Sequence, residues 1–133
     1  MGVLDRRAVM VGACIAVVIS LPAGVLGQVV VDDRGHSPGL VLAFLMPVLA
    51  GFAAGGYVAA RHAPTGPLAN SAVAAVAAFA LIQGLGVARR LVVGAPLSLP
   101  SLVFAAFLAY SSGLLGGLVA QRIGGRRQLG RRS

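Results

Sequence analysis

The chain reads as an all-α bundle of four membrane-spanning helices, and three observations lead there. The first is composition: 133 residues, 58% hydrophobic and 11% charged, with mean hydropathy +0.92. A soluble domain carries about 25% charged residues. So few charges cannot cover a water-facing globule, whereas lipid removes that requirement. The second is length: the apolar sequence divides into four runs of about 20 residues, enough to cross a hydrocarbon core of about 30 Å. The third is a repeated phrase: Gly55-Gly56-Tyr57-Val58-Ala59-Ala60-Arg61 returns as Gly116-Gly117-Leu118-Val119-Ala120-Gln121-Arg122. Small residues let helix backbones approach closely in lipid, and the closing Arg marks a membrane–water boundary.

The first span is expected over roughly 8–31, behind Asp5, Arg6 and Arg7. Its apolar run exceeds the roughly 7–15 residues of a signal-peptide core, and no small-residue cleavage site follows. Pro22 should kink it, a feature lipid tolerates when neighbours satisfy the freed carbonyl. Cys14, the one cysteine, excludes an internal disulfide and reads as a small buried hydrophobe. A polar loop over 32–38 leads to the second span, roughly 39–60, with a kink expected at Pro47. The segment 61–67 holds two prolines and a glycine and reads as a turn. The third span, roughly 68–88, is rich in Ala and is expected to end at Arg89-Arg90, with 91–98 as a loop at the interface. The fourth runs roughly over 99–121. Residues 1–122 thus form one transmembrane domain, and 123–133 an Arg-rich tail expected to be mobile.

Net charge is +8, and all eleven basic residues are Arg. They cluster at the ends of apolar runs and form no stripe interleaved with aromatics, which argues against nucleic acid as a partner. With the N-terminus inside, Arg6, Arg7, Arg61, Arg122, Arg126, Arg127, Arg131 and Arg132 lie on the inner side, and Arg34, Arg89 and Arg90 on the outer. Eight against three favours cytoplasmic termini in a bacterial inner membrane, with these residues setting topology and meeting lipid headgroups.

The repeat offset is 61 residues and spans two helices. If it is structural, the halves are parallel and related by an axis along the membrane normal; convergence on Gly, Ala and Val is the alternative. Gly51, Gly55 and Ala59 share a helix face, as do Gly113 and Gly117, and Gly116 and Ala120. With Gly56 these residues read as helix-packing positions. They serve either a dimer surface or, preferred here because the repeat supplies a matching partner, packing of the second span on the fourth.

Chemistry-bearing groups are sparse. The three acids, Asp5, Asp32 and Asp33, lie at span boundaries, which argues against proton-coupled transport. Gln28 and Gln83 sit near the outer ends of their spans, placed to bond across the repeat axis or to be solvated near the headgroups. Asp32, Asp33 and His36 fall short of a metal-ligand set and read as turn and boundary residues, and His62 as interfacial. No nucleophile–base pair, phosphate loop or cofactor motif occurs.

Four spans, Gly-Gly-x-x-Ala-x-Arg ending the second, Gly-Leu-Leu-Gly-Gly over 113–117, an acidic pair after the first span and Ala-Arg-Arg-Leu-Val-Val-Gly over 88–94 together resemble the small YrzE-like bacterial membrane proteins, actinobacterial members included. The resemblance implies a fold class and no activity. Members commonly carry His-Gly where this chain has Ala69-Asn70-Ser71, so no role for that His carries over. The expected function is a non-catalytic structural or accessory membrane subunit, self-associating or part of a larger complex. The alternatives are a multimeric small-solute transporter or channel, and an anionic-lipid-binding regulator acting through the Arg tail.

Overall fold

The computed structural model describes residues 4–35, 37–94 and 96–130. They form α1 (Arg6–Arg34), α2 (Pro38–His62), α3 (Pro67–Val93) and α4 (Leu99–Gly130). All four are long and apolar enough to cross a membrane, and no strand occurs among the described residues. The protein is an all-α polytopic membrane protein.

Local chemistry sets the helix starts. The Asp5 carboxylate accepts from the backbone N–H groups of Arg7 and Ala8, satisfying donors that the first turn leaves unpaired. Ser37 does the same for Leu40, and Pro38 and Pro67 occupy first-turn positions where no N–H is needed. At the other end, α3 stops at Gly94, whose left-handed φ of 72° lets its N–H reach back to the Arg90 and Leu91 carbonyls.

Three boundaries differ from the sequence expectation. Asp32, Asp33 and Arg34 belong to the last turn of α1, and α3 runs through Arg89 and Arg90 to Val93. Likewise α4 continues past Arg122 to Gly130, where a mobile tail was expected. A growing helix gains one hydrogen bond per residue without a new nucleation cost, and Arg is a good helix former. Arg near a helix C-terminus also complements the dipole. Charge therefore does not end a helix here, and a glycine ends α1 and α3. Both α1 and α2 remain continuous through Pro22 and Pro47.

Consecutive helices run antiparallel. α2 and α3 touch each other, and each also packs on α1 and α4, whereas α1 and α4 make no close backbone approach. A rotation about the membrane normal that exchanged the halves would carry the α2–α3 contact onto α4–α1. That contact is missing, so the packing does not follow the parallel two-helix repeat expected from the sequence. The recurring Gly-Gly phrase reflects a shared local need for small residues at close crossings.

The interior is made of small side chains, with Ala16, Ala74, Ala75 and Ala78 fully buried. Phe52 and Phe79 add a tilted ring pair at 6.5 Å between centroids. Large apolar residues such as Val18, Leu85 and Phe107 point outward. Lipid supplies no hydrophobic drive between helices, so close backbone packing takes its place. Cys14 is exposed on α1, correcting the expectation of a buried thiol.

Candidate functional site: glycine seams and an arginine-rimmed cleft

The start of α1, the end of α4 and the α2–α3 turn lie at one end of the bundle, here the terminal end. The α1–α2 and α3–α4 connections lie at the other, the loop end. The glycines divide the terminal half into three seams. Gly51 lies against Ser20 of α1, and a Cβ at Gly55 would stand 2.5 Å from the Gly12 carbonyl oxygen and 2.6 Å from Ala16 Cβ. A Cβ at Gly12 would in turn stand 2.6 Å from Ala59 Cβ. Gly56 faces the backbone of Gly113, and Gly116 the backbone of Ala53, closing α2 on α4. Gly113 also meets Ala75, and Gly117 meets the Ser71 side chain, closing α4 on α3. Ala120 is buried. The stripe Gly51–Gly55–Ala59 therefore serves α1, where the sequence suggested α4.

Its partner on α1 escaped the sequence reading. Ala8, Gly12, Ala16 and Ser20 are all buried, at four-residue spacing. That spacing of small residues was the available signal.

Buried polar groups are engaged. Ser20 Oγ donates to the Val48 carbonyl at 2.9 Å, joining α1 to α2. Asn70, fully buried, accepts from the Asp5 backbone N–H at 2.7 Å and donates to the carbonyls of Thr65 at 3.1 Å and Gly66 at 2.9 Å. It ties the start of α1 to the α2–α3 turn. Ser71 Oγ donates to the Leu68 carbonyl at 2.8 Å. Nothing in the sequence singled out Asn70, since an amide early in an apolar run looks the same bonded or solvated.

Among the boundary residues, Arg6, Arg7 and Arg122 are exposed. Arg61 donates to the Tyr57 hydroxyl at 3.1 Å with its guanidinium 5.7 Å from that ring's centroid. His62 Nδ1 lies 2.9 Å from the Val58 carbonyl. The side chains of Asp32, Arg126 and Arg127, and His36, Arg131 and Arg132 entirely, lie outside the described residues. Among those described, no group of three potential metal ligands occurs.

Towards the loop end the helices part. A cleft of about 800 Å³ opens there, with Val41, Phe44, Leu45 and Val48 along one wall and Gln28, Arg89 and Arg90 around it. A second hollow of about 220 Å³ shares Gln28, Gly86 and Arg90 and adds Gln83, Ser98 and Ser101. Gln28 and Gln83 thus border one space without hydrogen-bonding each other. Glycines mark the change in packing: a Cβ at Gly24 or Gly84 would meet nothing within 4 Å. Gly84→Ala should therefore raise the unfolding midpoint in detergent, by about 0.5–1 kcal/mol of helix propensity. A lowered midpoint would mean that α3 has a close neighbour at that position.

These features define a four-span α-helical membrane protein, packed through glycine at one end and cleft at the other. No protein-family model matches the chain, and no curated protein or solved structure is significantly similar to it.

Proposed function

We propose that the protein is a non-catalytic structural or accessory subunit of the bacterial inner membrane, with both termini cytoplasmic. One observation carries this reading: the interior of the terminal half is filled by glycine and alanine contacts, and its buried polar side chains, Ser20, Asn70 and Ser71, are occupied in holding helices and turns together. Such an interior supports assembly better than it supports turnover. The glycine faces are used within the chain, so partners would meet the lipid-facing side of α4, where Phe104, Phe107 and Leu115 are exposed. The Arg distribution supports the orientation. The likeness to YrzE-like proteins stays part of this proposal and adds no activity to it.

Intact-complex mass after mild-detergent purification from native membranes tests it. A mass equal to this chain plus other proteins is the expected result. A small multiple of this chain alone would favour the second reading, a homomultimeric transporter. That reading draws on the cleft, open at the loop end and closed at the terminal end by the glycine seams, and liposome flux would then decide it.

A further inference from the structure

We propose that the loop-end cleft binds an anionic phospholipid, with its phosphate at Arg89 and Arg90 and an acyl chain along the Val41–Phe44–Leu45–Val48 wall. The inference goes beyond the accessory-subunit reading and does not depend on it.

The two halves of the cleft have opposite chemistry, and an amphiphile is the ligand that matches both. Arg89 and Arg90 are adjacent on the last turns of α3 and both border the cleft. Guanidinium presents planar, forked donors suited to phosphate oxygens. Gln28 beside them, and Gln83, Ser98 and Ser101 in the adjoining hollow, add neutral groups for ester and glycerol oxygens. Among the described residues, no acidic side chain borders either space. Arg89 and Arg90 are the charged side chains among the described lining of the cleft, and they favour an anion over a cation.

The depth of the cleft decides between a lipid and a free anion. Below the arginines the wall is aliphatic and aromatic, and a phosphate ion alone would leave it unfilled. The volume, about 800 Å³, lies within the roughly 300–1,000 Å³ typical of ligand pockets. Position agrees as well. Arg89 and Arg90 stand at the end of the third apolar run, at headgroup level, while Leu91, Val92 and Val93 beyond them are exposed and apolar. Of the lining glycines, Gly27 packs on Phe44, where a Cβ would stand 2.8 Å from the Phe44 Cβ, while a Cβ at Gly24 would meet nothing within 4 Å, so open space remains beside it. The site holds for either orientation of the chain, because each leaflet supplies phosphate and acyl chains.

The test is native mass spectrometry of the full chain in detergent, titrated with phosphatidylglycerol, with phosphatidylcholine and with inorganic phosphate. The wild type should retain phosphatidylglycerol in preference to phosphatidylcholine. The double variant Arg89→Gln/Arg90→Gln should lose about tenfold or more in affinity for phosphatidylglycerol, each surface Arg contributing roughly fivefold. Arg6→Gln/Arg7→Gln, which removes the same charge from headgroup-facing positions outside the cleft, should cost clearly less of that affinity. Arg89→Lys/Arg90→Lys should retain the preference in part, which separates lost recognition from lost folding. Val41→Trp, at an exposed wall position, should weaken lipid binding by obstructing the acyl path. Equal retention of both lipids, or equal losses in the two Arg→Gln pairs, would overturn the proposal. Arg89/Arg90-dependent binding of inorganic phosphate, with lipid binding untouched by Val41→Trp, would replace it with a simple anion site.

Discussion

Replacing Gly116 with leucine should drive α4 away from α2 and remove most of the folded, monodisperse protein. A Cβ there would meet the Ala53 carbonyl group and stand 2.9 Å from the Tyr57 nitrogen. These are helix-backbone atoms and cannot rotate aside, so the helices themselves must part. Overpacking typically costs about 1–3 kcal/mol and sometimes more. With two backbones displaced, the upper end or beyond is expected, about 3 kcal/mol, against a total stability of about 5–15 kcal/mol. The damage should spread along the seam, because Gly56 rests on Gly113 three residues away on α4. Gly55→Leu should act in the same way on the α1–α2 seam. Detergent-resistant folded yield and the unfolding midpoint are the readouts. If both were unchanged, the α2–α4 seam would be wrong. A changed oligomer mass with full yield would place Gly116 between copies of the chain.

Asn70→Leu is expected to be among the most damaging polar substitutions. The side chains branch alike but leucine is the larger, so lost hydrogen bonding is joined by some overpacking at this fully buried position. The Asp5 N–H loses its 2.7 Å acceptor, and the Thr65 and Gly66 carbonyls lose the amide that bridges them. Leaving buried partners unsatisfied costs about 1–3 kcal/mol. Interhelical hydrogen bonds in membranes average nearer 0.6 kcal/mol, because lipid-embedded groups find substitutes. Here one side chain serves at least three backbone groups at a helix start and a turn, so about 2–3 kcal/mol is expected. The loss should be local in hydrogen exchange: amides around Asp5 to Ala8 should open first. Asn70→Asp keeps an acceptor for the Asp5 N–H but sets a carboxylate oxygen against the Thr65 and Gly66 carbonyl oxygens in a fully buried site, so it should destabilise at least as much as Asn70→Leu. Unchanged protection at the start of α1 in Asn70→Leu would refute this role.

The four spans were legible from hydropathy, and the breaks between them from turn chemistry. Span ends were less so. Arg89 and Arg90 do lie at the edge of an apolar run, but a helix does not stop where the bilayer stops, and α3 continues to Gly94. The packing glycines were recognisable as a class through their four-residue spacing, while their partners were not. Gly51 and Gly55 meet α1, Gly56 and Gly116 join α2 to α4, and Gly117 meets α3. A glycine surface has no shape of its own to name a partner. The α1 stripe carried the same spacing with one glycine among Ala8, Ala16 and Ser20, a weaker signal because alanine and serine recur throughout the chain.

By itself the sequence determined a four-span membrane protein, because burying an apolar run of about 20 residues in lipid outweighs any local alternative. It also located the residues small enough for helices to touch. Only the tertiary structure decided that α2 and α3 touch across the bundle while α1 and α4 stay apart, and that Asn70 closes the terminal end. It likewise decided that Gln28, Arg89 and Arg90 border one cleft with an apolar wall. Those outcomes depend on how the helices diverge along their length. Divergence is set jointly by all the close contacts at the terminal end, and no single segment encodes it.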